Sequence, residues 1–161
     1  MKKLLQVFLL LTASVGAITV PAFAASGKAI VPPFDSRYGS ASSYFGHSYF
    51  ITNITNNPIT VKISIFNQTG LMITTGLTQV SSNMTNFVLN PGDATASFTL
   101  AANNTADLYY PSSTQDCGYA TISWTQDSTV QIGLIADVRE LLWINNVYSF
   151  RTIAVNNNMP F

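Results

Sequence analysis

Two residue types that often carry chemistry occur only once each: a single histidine, His47, and a single cysteine, Cys117. They lie about 70 positions apart, and the ligand spacing of a structural zinc site is absent. A Ser-His-Asp triad needs only one histidine, but the chain has no G-x-S-x-G nucleophile motif. His47 also lies within a strand-like aromatic run, residues 44–50. We therefore interpret it as a structural or surface histidine.

The closest pair of carboxylates is Asp137 and Glu140, with Arg139 between them. A glycosidase needs two carboxyl groups facing each other across about 5–9 Å. On a strand, residues i and i+3 point to opposite faces, so the pair suits that chemistry only if the segment is helical. Arg139 instead indicates a solvated strand end. Four other aspartates occur singly in predicted turns or at strand ends, without calcium-loop spacing: Asp93, Asp107, Asp116 and Asp127. The alternative is a calcium site built from separate loops.

Cys117 stands directly before Gly118 and Tyr119. A free cysteine is commonly a small buried hydrophobic residue, and this is the first interpretation. A single cysteine cannot form a disulfide within its own chain. In an exported protein the alternative is therefore a disulfide between two copies.

Aromatic residues form three local groups and give the clearest indication of binding. Neighbouring side chains on a strand alternate between its two faces, so some of these rings point outward unless another layer covers them. Exposed tyrosine and tryptophan rings can stack on sugars or anchor a protein interface. The alternative is burial by a second sheet or by subunit contacts. The candidate interaction residues are Tyr44, Tyr49, Tyr109, Tyr110, Trp143 and Tyr148. No cofactor or metal site is predicted.

Alternation of apolar and polar residues dominates the chain and predicts half-buried β-strands. The clearest examples are residues 61–65, 94–100 and 120–125, the last with Trp124 on the inward side. Residues 130–138 are apolar on one side and partly on the other, which predicts a central strand. Turns rich in Asn, Asp, Pro and Gly separate the strands, and the last two of them predict tight hairpins: 56–58, 67–70, 90–93, 126–128 and 145–146.

About eight to ten short strands with such frequent turns predict a single all-β domain. We expect a β-sandwich of mostly antiparallel strands over residues 44–155, rather than a closed barrel. Residues 138–142 also fit helical spacing, so a helical turn is an alternative there. Residues 25–43 are predicted to be an extended lead-in, because their Pro-Pro pair is excluded from a central strand. An irregular tail is predicted for residues 156–161.

The first residues predict export. Two lysines precede an uncharged apolar stretch, and Ala22-Phe23-Ala24 has the small-x-small pattern that a signal peptidase cleaves. Residues 1–24 are therefore interpreted as a signal peptide of bacterial style; a membrane anchor is the alternative, but the stretch is short and contains polar residues. Removing the two lysines leaves residues 25–161 with five basic (7 − 2) and seven acidic residues. This slightly acidic balance predicts no binding to nucleic acid.

Residues 51–66, followed by the turn Leu89-Asn90-Pro91-Gly92-Asp93 and the strand 94–100, resemble the N-T…V-x-V…L-x-P-G pattern of bacterial Ig-like β-sandwich modules. The layout is also similar to the small β-sandwich of the sensory rhodopsin transducer family, in which a strand, a turn and a late strand like residues 120–138 follow in that order. The resemblance implies a β-sandwich and implies no activity.

These observations predict an exported, non-enzymatic protein of the cell surface or extracellular space, with the periplasm as another location. The charged fraction of only 9% and the aromatic groups favour a structural or self-associating component, such as a matrix or appendage subunit. Its partners would be further copies of the chain or other surface proteins. The alternative is a carbohydrate- or ligand-binding module that uses exposed aromatic residues on glycans. No transmembrane segment is predicted after signal cleavage.

Overall fold

The computed structural model describes residues 24–36, 43–92, 95–112, 116–127, 132–145 and 147–161; of the predicted signal peptide only Ala24 is among them. This part of the chain contains ten β-strands and two 3₁₀ turns. The strands form two five-stranded antiparallel sheets, which confirms the predicted all-β sandwich. The strands are β1 Ala25–Ser36, β2 Ser43–Asn53, β3 Ile59–Asn67, β4 Thr78–Gln79, β5 Met84–Asn90, β6 Thr95–Leu100, β7 Thr105–Ser112, β8 Asp116–Gln126, β9 Leu134–Ile144 and β10 Val147–Ala154.

Consecutive strands often lie in different sheets. Sheet A has the strand order β1-β8-β3-β6-β5, and sheet B has the order β10-β9-β2-β7-β4. The hairpin predicted at residues 126–128 is not formed, because β8 belongs to sheet A and β9 to sheet B. The hairpin predicted at residues 145–146 is formed, since Ile144 pairs with Val147 and Asn145 has a φ of 48°.

Alternation decides which side of each strand faces the core. In β3, Val61, Ile63 and Ile65 are completely buried, whereas Thr60 and Lys62, on the other side of the strand, are exposed. Trp124 of β8 is buried among these aliphatic side chains, as its position in the pattern predicts. Removing this apolar surface from water, at about 25 cal/mol per Å², is the main favourable contribution to folding.

The predicted lead-in belongs to the sandwich wherever the structure describes it. Ala25–Ser36 is β1, an edge strand of sheet A, and it pairs with β8 from Ala25 opposite Gln126 to Ser36 opposite Asp116. The register shifts between Val31 and Phe34, at the Pro-Pro pair. An edge strand tolerates proline because one of its sides needs no backbone donor, which is why the pair does not prevent pairing with β8.

β9 is a continuous strand, so the helical alternative for residues 138–142 is wrong. The predicted irregular tail makes a 3₁₀ turn at Val155–Asn158, in which Asn156 and Asn157 have positive φ angles of 50° and 53°. The chain then returns to the start of β9, where the backbone nitrogen of Phe161 donates to the oxygen of Leu134 at 2.9 Å. The tail is therefore tied to sheet B.

Candidate functional site

The outer side of sheet B gathers several of the candidate aromatic residues. Trp143 of β9 stands opposite Tyr148 of β10, and their rings stack with centroids 6.0 Å apart and planes at 28°. Tyr44 of β2 is paired with Trp143 from the other side. Three strands thus bring together residues that lie about a hundred positions apart in the sequence.

The β9–β10 hairpin carries large apolar side chains in solvent. Tyr148 is 63% exposed and Phe150 70% exposed, both on the outer side, and Val147 on the opposite side is 66% exposed. Single exposed apolar residues are ordinary, but a contiguous group of this kind marks an interaction surface. We use the name aromatic face for Trp143, Tyr148 and Phe150.

Tyr109 lies on the same outer side, on β7, at some distance from the hairpin. Its ring packs over Gly46 of β2: a Cβ atom at Gly46 would stand 2.6 Å from Cε2 of the tyrosine. Only glycine leaves room for this close approach of ring and strand. Partial burial raises the pKa of the Tyr109 hydroxyl.

Charged groups lie beside the aromatic face. Phe50 of β2 has Asp107 and Asp137 as its two cross-strand neighbours, and the guanidinium carbon of Arg139 stands 4.4 Å from the centre of the Phe50 ring. Burial raises the pKa of Asp107, and the charge of Arg139 opposes that rise. The sequence predicts Asp107 in a turn or at a strand end. This prediction is wrong, because Asp107 lies inside β7. Sequence spacing gave no sign of this group, because its members come from three strands.

Tyr49 and Tyr110 point into the sandwich, so they do not belong to an exposed interaction surface. Tyr49 is completely buried, and burial, with the nearby Tyr110 and Glu140, raises the pKa of its hydroxyl. The reason is parity. Tyr49 alternates in step with His47 and Ile51 of β2, whose side chains are also completely buried, and so lies on the inner face of the sheet.

A row of polar side chains, buried at His47 and Glu140 and exposed at Arg151, crosses the inner side of sheet B. His47 and Glu140 are cross-strand partners; His47 is completely buried and Glu140 is 7% exposed, so the expectation of a solvated strand end at Glu140 is wrong. Arg151 of β10 donates through Nε to the Glu140 carboxylate, and Nε2 of His47 is 3.8 Å from its Oε1. Burial raises the pKa of Glu140, but His47 and Arg151 outweigh that effect and lower it to about 2. This row holds β10 to β9 and β2.

Cys117 lies on β8 and is exposed, so its interpretation as a buried hydrophobic residue is wrong. Its thiol donates a weak hydrogen bond of 3.4 Å to Oε1 of Gln68. The two residues line a groove of about 470 Å³ together with Tyr119, whose ring stacks on Phe66 with centroids 4.7 Å apart. A disulfide between copies stays a prediction.

Over the described ranges, no three His, Cys, Asp or Glu side chains are grouped so that they could hold a metal ion. The same part of the chain contains no helix with the length and apolar character needed to cross a membrane.

No protein-family model matches the chain, and no curated protein matches it. A solved structure with a similar arrangement is that of Thermotoga maritima 1070. It has 9% sequence identity and a TM-score of 0.49, over 81% of this chain and 93% of that one. A TM-score below 0.5 indicates a distant likeness, and nothing about the role of this chain follows from it.

Proposed function

We propose that the chain is an exported, non-enzymatic structural protein that associates with copies of itself at the cell surface or in the extracellular space. The observation that carries the proposal is the exposure of Tyr148 and Phe150, at 63% and 70%, on one side of the hairpin that also holds Trp143. Covering such exposed rings with a second protein surface lowers the free energy and so favours association.

The free energy gained by covering these rings suits a reversible contact between copies. Aromatic side chains bury about 150–250 Å² each, so covering two rings on each copy, which are about two thirds exposed, contributes roughly 10–16 kcal/mol at about 25 cal/mol per Å². Association costs on the order of 4–15 kcal/mol, so the net gain is modest. The low charged fraction of 9% also limits electrostatic repulsion between identical surfaces.

Sedimentation velocity of residues 25–161, over a wide range of concentrations, tests the proposal. We expect the wild-type chain to associate as concentration rises and the double variant Tyr148→Ser/Phe150→Ser to remain monomeric. The matched control is Ile30→Ser, because Ile30 is 63% exposed on β1 of the other sheet. This variant should associate like the wild type. A wild-type chain that is monomeric at every concentration contradicts the proposal.

Carbohydrate binding is the second candidate, and the charged group beside the aromatic face favours it. Sugar-binding surfaces combine rings that stack on the apolar side of a sugar with polar groups that bind its hydroxyls. Tyr109 supplies a ring, and Asp107 and Arg139 lie on the same side of the sheet. A glycan array tests this candidate: binding should be lost in Tyr109→Ala and kept in Ile30→Ser. An array without binding contradicts it.

A further inference from the structure

β10 differs from the other sheet edges that the structure describes. Natural edge strands avoid pairing with other chains by being short, by containing proline or by carrying a bulge. β1 contains a Pro-Pro pair and a register shift, and β4 has only two residues. β5 shifts its register between Thr85 and Val88, where Asn86 has a φ of 55°. β10 contains none of these features: its eight residues pair with β9 without interruption.

Charge does not protect this edge either. Charged side chains on an edge strand normally oppose the addition of another strand. Arg151 is the one charged residue of β10, and it is bound to the buried carboxylate of Glu140. Its side chain is 64% exposed, but the bond to Glu140 balances its charge in part within the same copy. The neighbouring residues Val147, Tyr148 and Phe150 are exposed and uncharged.

We propose that two copies pair through their β10 strands, antiparallel and about a twofold axis at Phe150, so that the two B sheets form one continuous sheet of ten strands. The inference rests on the self-association proposed above and specifies its geometry. A second copy fits this edge better than an unrelated strand does. The same uninterrupted edge, with Arg151 as its one charged residue, is then present on both sides of the contact, and one contact satisfies both edges.

The position of the axis follows from parity and charge. Directly opposed residues of an antiparallel pair share a face, so the axis must pass through a residue and not between two. An axis at Arg151 would oppose two like charges, which is unfavourable. An axis at Ser149 pairs only residues 147–151 within β10, whereas an axis at Phe150 pairs residues 147–153. The longer pairing satisfies more backbone groups.

This arrangement joins the two aromatic faces. Phe150 stands opposite Phe150 of the second copy, and Tyr148 stands opposite Thr152. Arg151 stands opposite Ser149, which leaves its bond to Glu140 intact. Cross-strand pairs of aromatic residues favour strand pairing.

Cysteine cross-linking of the full exported chain, in a Cys117→Ser background, tests the geometry. Opposed residues lie close enough for a disulfide. We expect Phe150→Cys to form a covalent dimer under mild oxidation, roughly tenfold more than Ser149→Cys. Phe150→Cys removes the ring, so a second measurement is included. Mixing Tyr148→Cys with Thr152→Cys should give a heterodimer, whereas neither variant alone should cross-link efficiently. Thr152→Pro should abolish association while circular dichroism shows a folded sandwich.

The outcomes separate the two proposals. If the chain associates but Thr152→Pro still associates, or if cross-linking is strongest at Ser149, the pairing proposed here is overturned and self-association stands. If the unmodified chain is monomeric at every concentration, self-association falls, and this inference falls with it.

Discussion

The indole nitrogen of Trp124 donates a hydrogen bond of 2.7 Å to the backbone oxygen of Phe161. The same oxygen accepts hydrogen bonds from the backbone nitrogens of Gly133 and Leu134, at 3.0 and 2.9 Å. Gly133 also leaves space for the indole, since a Cβ atom there would stand 2.6 Å from the ring. Trp124 belongs to sheet A and Leu134 to sheet B, so the tail, through Phe161, joins the two sheets.

Trp124→Phe should lower the free energy of unfolding by about 1–3 kcal/mol, because the variant loses a buried hydrogen bond and leaves a small cavity. Urea unfolding followed by circular dichroism measures the change. Trp143→Phe is the control, since Trp143 lies half-buried on the outer side of sheet B; its loss should be below about 1 kcal/mol. Equal losses in the two variants would show that the bond to Phe161 contributes nothing.

Local alternation was sufficient to predict the sandwich and the inward position of Trp124. It could not predict that β2 pairs with β9 along eleven opposed positions, from Ser43 opposite Ile144 to Asn53 opposite Leu134. Strand pairing at such separation depends on which faces fit together, not on the residues within one strand. The same limit explains the error at Glu140: the neighbouring Arg139 indicates a solvated strand end, whereas the parity of β9 and the bond from Arg151 allow Glu140 to be buried.

The candidate aromatic residues also show what local alternation can and cannot predict. The sequence indicated that some rings would point outward, and Tyr148 does. The sequence does not show which face of a strand is covered, so it offers Tyr49 as a candidate although the ring is completely buried. Only the second sheet, which covers one side of β2, settles which rings are inside.

Asn53 is a buried polar residue whose importance the sequence did not indicate. Its Nδ2 donates to the backbone oxygens of Asn57, Leu100 and Ala101, at 2.8, 3.2 and 3.0 Å. Its Oδ1 accepts from the backbone nitrogen and the hydroxyl of Thr55, at 2.9 and 2.8 Å. The amide thereby joins the end of β2 to the residues around the end of β6.

Asn53→Asp should destabilise the fold by more than about 3 kcal/mol at neutral pH, because a carboxylate oxygen would then face three carbonyl oxygens in a buried site. Burial without a donor would raise the pKa of the new carboxyl group, so part of the lost stability should return as the pH falls through that folded-state pKa. Asn57→Asp, at an exposed position, is the control and should change stability by less than about 1 kcal/mol. Urea unfolding at pH 7 and pH 4 measures both variants.

The carboxyl group of Glu140 should make stability fall in acid. Its pKa is about 2 in the folded chain against a usual value of 4.5. A lowered carboxyl pKa contributes stability that is fully present above pH 4.5 and is lost as the pH falls towards 2. The contribution is on the order of 3 kcal/mol at most, since one pKa unit corresponds to about 1.4 kcal/mol.

Free energies of unfolding at several pH values between 2 and 7 measure this contribution. Glu140→Gln should be less stable than the wild type at pH 7, and the difference should shrink below pH 4. Arg151→Gln should show an intermediate profile, because it removes one of the two groups that lower the pKa of Glu140. Profiles that run parallel for all three proteins would contradict the role assigned to Glu140.

Cys117 should behave as an accessible thiol. Because its side chain is exposed, Ellman's reagent should label it in the folded protein at a rate close to that in urea. Cys117→Ser should change the free energy of unfolding by less than about 0.5 kcal/mol, as surface substitutions generally do. If two copies place their Cys117 residues within disulfide reach, about 4.4–6.8 Å between Cα atoms, oxidised wild-type protein gives a dimer on non-reducing gels. That band must disappear in Cys117→Ser. A thiol labelled only after unfolding would contradict its exposed position on β8.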